Sequence, residues 1–60
     1  MFKQISTHIW EYLGADERCF CWSDNEPFSY GDYSWYGIAS AALAEWCRED
    51  GIALPRSTGG

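Results

Sequence analysis

The sequence predicts an α+β fold: a small antiparallel sheet, made of one hairpin with a candidate third short strand, packed by one C-terminal amphipathic helix. Three observations predict it. Residues 34–50 repeat apolar side chains at helical spacing. Residues 4–13 and 18–23 are rich in β-branched and aromatic types on either side of a turn. The chain has 60 residues, room for one domain at most, and a chain this short hides only about 60% of the surface its unfolded form exposes.

The first residues admit two readings. Phe2, Ile5, Ile9 and Leu13 match a helical period that Gly14 would end. Against this, Ile5, Thr7, Ile9, Trp10 and Tyr12 are types that suit a pleated surface. We favour a hairpin of 4–13 and 18–23 over an N-terminal helix, with the turn at 14–17. The returning strand places Phe20 and Trp22 on one face and Cys19 and Cys21 on the other. Residues 24–33 read as a loop or crossover, because Pro27 and Gly31 break regular structure. In the helix expected over 34–50, Trp35, Ile38, Ala39, Ala42, Leu43 and Trp46 form one apolar stripe. Ser34 is the candidate N-cap, Gly51 the left-handed C-terminal residue, and Pro55 blocks continuation. A third strand can be drawn at 52–54, where the alternative is extended coil. The compact domain is expected over 1–55. The tail 56–60 has no apolar anchor and is expected to be flexible.

Composition excludes several function classes. The chain is 47% hydrophobic and 18% aromatic, far from a disordered profile. Four basic residues stand against nine acidic ones, a net charge of −5. Direct binding to DNA, RNA or an anionic membrane is therefore not expected, since such partners need Lys and Arg to displace counterions. No apolar run approaches the ~20 residues of a membrane span, and no leader peptide is expected.

Catalytic chemistry is thin. Cys19, Cys21 and Cys47 are an odd count, which closes no disulfide framework. A bridge from Cys47 to Cys19 or Cys21, or a zinc site from the three cysteines and His8, can be drawn. The spacing of Cys19 and Cys21 is short for zinc ligands. Three reduced thiols in a cytoplasm are the expected state, with no metal and no cofactor. Phosphate-binding glycine motifs are absent. Pairs such as His8 with Cys21, or Asp24 with Glu26, would need a water-excluding cleft. The chain is not expected to be an enzyme.

The informative residues are acids and rings. Asp16, Glu17, Asp24, Glu26 and Asp32 share residues 16–32 with one base, Arg18. Glu45, Glu49 and Asp50 lie in the last helical turns, where the macrodipole favours cations. Seven of the eleven aromatics fall in residues 20–36. Phe2, Trp10, Phe20, Trp35 and Trp46 are core candidates. Tyr30, Tyr33 and Tyr36 are candidate anchors beside the acids, a combination found at interface hot spots. Both features have plainer readings: a solvated acidic surface, and tyrosines that lid the core with their hydroxyls in water.

Carboxylates repeated along a helix at i+4 stand about 6 Å apart, as Glu45 and Glu49 would, and a groove lined with Lys and Arg for DNA also accepts a line of carboxylates. On Asp24-Asn25-Glu26, Asp32, Glu45, Glu49 and Asp50, with its small size, charge and rings, the chain resembles the small acidic proteins that phages encode against bacterial defence. These include anti-CRISPR proteins that block target-DNA recognition. The resemblance is one of type across the chain, without a shared motif, and it carries over no individual residue. It implies a stoichiometric inhibitor, acting in the bacterial host cytoplasm. Such an inhibitor presents a DNA-mimicking surface to a basic nucleic-acid-binding protein such as a CRISPR effector subunit. The alternative is a protein-interaction adaptor that binds through a Tyr/Trp patch, its charge serving solubility.

Overall fold

The computed structural model describes residues 1–55, so the expected tail at 56–60 lies outside the described residues. Four strands form one antiparallel sheet in the order of the chain: β1 (Phe2–Gln4), β2 (Ile9–Tyr12), β3 (Cys19–Trp22) and β4 (Tyr36–Gly37). One helix, α1 (Ala41–Asp50), follows. The architecture is the small α+β fold the sequence predicts.

The long first strand is interrupted. Residues 5–8 turn the chain, with the amides of Ile5 and Ser6 both donating to the Ile9 carbonyl at 2.8 and 3.3 Å. The hairpin is therefore a three-stranded meander. β2 and β3 pair Ile9 with Trp22 and Tyr12 with Cys19. At the end of β2 the Tyr12 ring lies over Gly14, where a Cβ would come within 2.5 Å of the phenol oxygen.

The helix starts seven residues later than the sequence suggests. Tyr36 and Gly37 instead pair with Phe20 and Cys19. Gly37 opposes helix by about 1 kcal/mol relative to Ala, and Trp35 and Tyr36 suit an edge strand. Its carbonyl accepts from the Ser40 amide at 3.0 Å, which closes a turn. Ser40, not Ser34, is the N-cap: its Oγ accepts from the Ala42 amide at 3.1 Å. The C-terminus is as expected, with Gly51 at φ 71°. The Ile52 amide reaches back to the Cys47 carbonyl at 2.9 Å, a Schellman closure that folds Ile52 onto the core. Residues 52–54 form no strand.

The register divides the side chains into two faces. Ile9, Glu11, Phe20 and Trp22 face the helix, where Ile9, Phe20, Leu43 and Cys47 form the buried core and Ile5, Trp22, Ile38, Trp46 and Ile52 pack around it. Phe2, Trp10, Tyr12, Cys19 and Cys21 face the other way. Of the five ring residues expected in the core, only Phe20 is fully buried. Phe2, Trp10, Trp35 and Trp46 are half-buried. The sheet lies between Cys47 and the pair Cys19 and Cys21, and all three thiols are free.

Candidate functional site

The second face of the sheet is covered by the segment between β3 and β4, and that segment carries the loop acids and rings. It is fixed at its start by the Trp10 indole, which donates to the Ser23 carbonyl at 3.1 Å. Pro27 is buried. From Glu26 to Tyr30 burial alternates: Pro27 and Ser29 turn inward, while Glu26, Phe28 and Tyr30 are exposed. This is the period-two pattern of extended chain. A 3-10 turn at Tyr30–Asp32 ends it.

Rings hold this segment down. Trp35 stacks on Phe2 at 5.7 Å between centroids and 8° between planes, and on Tyr30 at 5.3 Å and 9°. Its indole donates to the Tyr30 carbonyl at 2.7 Å. Tyr30 also meets Tyr12 at 4.6 Å. Tyr33 sits edge-on to both Trp35 and Phe28. The three tyrosines expected together are split. Tyr30 and Tyr33 belong to this cluster, whereas Tyr36 is on the helix side, edge-on to Trp46 at 5.2 Å.

The carboxylates separate by environment. Asp16 and Glu17 are exposed in the β2–β3 turn. Asp24 is at the other end of β3, and a four-residue strand spans about 13 Å. Glu26, Asp32 and Glu49 are exposed. Glu45 is exposed but bonded to Arg48 at 2.8 Å.

Asp50 is turned inward, its side chain 7% exposed. It accepts from the Ser6 hydroxyl at 2.6 Å and the His8 amide at 3.2 Å, and it pairs with His8 Nδ1 at 3.0 Å. The Ser6 hydroxyl, then His8, hold its carboxyl below the ordinary value. Asp50 thus ties the 5–8 turn to the end of α1. The same imidazole has Nε2 3.4 Å from Asp24 and is stacked on Trp22 at 4.4 Å. His8 thereby joins Asp24 of the loop to Asp50 at the end of α1, whereas Asp32 follows Tyr30, which packs on Tyr12 at the opposite end of the β2–β3 pair.

Sequence reasoning missed three participants. Glu11 is a buried carboxylate on the helix side, bound by Arg18 through Nε at 3.0 Å and Nη2 at 3.3 Å. Its place two residues after Ile9 puts it on the same buried face of β2, a signal that its acidic type obscures. His8 enters the sequence reading only as a metal ligand or base, not as a link between acids. Phe28 is 77% exposed. Its neighbour Pro27 was the available signal, since a proline fixes its own φ and keeps the preceding residue out of helix, so adjacent side chains fall on opposite sides of an extended segment.

Comparison with known proteins gives no match: no family model, curated protein or solved structure is similar to this chain.

Among the described residues no group of three or more His, Cys, Asp or Glu side chains is arranged to hold a metal ion, and no helix is long and apolar enough to cross a membrane. Burial, and then the charge of Cys19, push the Cys21 thiol up to about 11. Burial first also raises Cys19 and Cys47.

Proposed function

We propose that the protein acts by occupancy, as a stoichiometric inhibitor that presents carboxylates to a basic nucleic-acid-binding site and keeps DNA out. One observation carries this reading. Among the described residues Asp16, Glu17, Glu26, Asp32 and Glu49 are exposed and enter no ion pair, while Arg18 and Arg48 are held by Glu11 and Glu45. The outward field is thus negative, as a competitor for a cationic cleft requires. The loop contributes Asp24, Glu26 and Asp32 to it, and the last turn of α1 contributes Glu49. Asp50 is omitted because its oxygens are already used. The resemblance to phage anti-CRISPR proteins supports a DNA-recognising CRISPR effector subunit as the target class, met in a bacterial cytoplasm.

A purified effector subunit titrated with the protein and labelled target DNA tests this. DNA should be displaced at a one-to-one ratio at low salt, and displacement should weaken steeply as salt rises. Joint reversal of Asp24, Glu26 and Asp32 to Lys should abolish it. The exposure of Phe28, 77%, and Tyr30, 46%, favours a second reading, an adaptor that binds through rings. Under that reading binding survives salt and charge reversal and fails on Tyr30→Ala.

A further inference from the structure

We infer that the outward strip of Glu26, Phe28 and Tyr30 selects arginine side chains of its protein partner over lysine. The inference rests on the anionic-surface reading and names its partner chemistry. Alternate residues of an extended segment stand on one side about 6.6 Å apart, so a carboxylate and two rings follow one another from Glu26 to Tyr30. Its rings are positioned before any partner arrives: Phe28 is edge-on to Tyr33 at 5.5 Å and 74°, and Tyr30 is stacked on Trp35. A planar guanidinium lies flat on an aromatic face while its rim donates two bonds to a carboxylate, and a compact ammonium cannot do both.

The molecule already holds one arginine in this manner. Arg18 donates to both oxygens of Glu11 while its guanidinium carbon stands 5.3 Å from the centroid of Phe20. Carboxylate and ring there sit on adjacent strands, Glu11 directly opposite Phe20. In the strip Glu26 and Phe28 follow one another along one segment, and the Phe28 ring is exposed to a partner.

Binding of an oligo-arginine and an oligo-lysine peptide of equal length, measured by isothermal titration at one ionic strength, tests the inference. The arginine peptide should bind several-fold more tightly. Phe28→Leu keeps an apolar side chain at an exposed site and removes the aromatic face. It should weaken the arginine peptide about two- to five-fold and leave the lysine peptide unchanged, with an unaltered circular dichroism spectrum. Equal affinity for the two peptides, insensitive to Phe28→Leu, would overturn the inference and leave the anionic surface standing. Failure of both peptides to bind would overturn the surface as well.

Discussion

Replacing Trp35 by Ala tests whether stacked rings hold the loop that carries the strip. The magnitude follows from what Trp35 touches. It donates one hydrogen bond to a backbone carbonyl, worth about 1 kcal/mol net. It makes two near-parallel ring stacks, with Phe2 and Tyr30, worth about 1 kcal/mol each. The expected loss is therefore about 3 kcal/mol, at the lower end of the range for truncating a Trp, which suits a half-buried ring. A domain of this size has a total stability of roughly 3–9 kcal/mol, so the variant should be partly unfolded or close to it. Trp35→Phe keeps the stacking and loses the indole donor, and should cost about 1 kcal/mol. The Tyr30 carbonyl retains the Tyr33 amide as a donor. Urea unfolding followed by far-UV circular dichroism measures both. Near-UV signal and amide exchange in residues 26–35 report the loop separately. A loss under about 1 kcal/mol for Trp35→Ala, with the denaturant slope unchanged, would show that the ring stack does not anchor the segment.

Three further outcomes are expected. Ser40→Ala should cost about 1 kcal/mol through loss of the cap, about 4–8 °C in melting temperature, whereas Ser34→Ala should stay within about 0.5 kcal/mol; the reverse order in thermal melts would place the helix start at Ser34. Asp50 has its folded pKa depressed, so its stabilisation is complete above the unfolded value near 3.9 and is lost as pH falls through the lower folded value. Asp50→Asn should therefore flatten the acid-side decline of stability below about pH 4 in urea titrations, and Glu49→Gln should not. At pH 8 a thiol reagent should label native Cys19 first and leave Cys21, raised to about 11, and the buried Cys47 unmodified until urea unfolds the chain. Rapid native labelling of Cys21 would contradict its burial.

The parts of the fold that rest on local signals were legible. Residue types in 18–23 marked β3, and Gly51 marked the end of α1. Period two alone places Phe20 and Trp22 on one face and Cys19 and Cys21 on the other, as the register has them. What was lost depended on tertiary competition. The apolar stripe from Trp35 to Ile38 fits a helix on paper. Trp35 instead finds its stacking partners across the sheet and Tyr36 pairs with β3, so helix formation waits for Ser40. The break at residues 5–8 had no turn dipeptide to announce it. It is fixed by contacts from the far end of the chain, where Asp50 bonds Ser6 and His8. The same contacts explain why Asp50, acidic and at a helix C-terminus, looked like a surface feature. A carboxylate that breaks the dipole rule can be held by donors no sequence window contains.

This partition changes what net charge says about an interface. The nine acids differ in how easily a partner could reach them. Glu11 and Asp50 are enclosed with their donors and would leave those donors unpaired if drawn away, a costly exchange. Glu45 is different, because its bond to Arg48 is exposed on both sides and such pairs contribute about 0–1 kcal/mol. A competing arginine could take over Glu45 at little cost and free Arg48 to swing aside. Asp24, shared with a half-buried His8, is intermediate. Under the proposed inhibitor reading, the carboxylates left for a cationic partner are therefore the five unpaired ones together with Glu45 and Asp24. The regular i+4 line on the helix is weakened, because intramolecular bonds take up Glu45 and Asp50 on α1, while Glu26 and Asp32 of the loop stay exposed and unpaired.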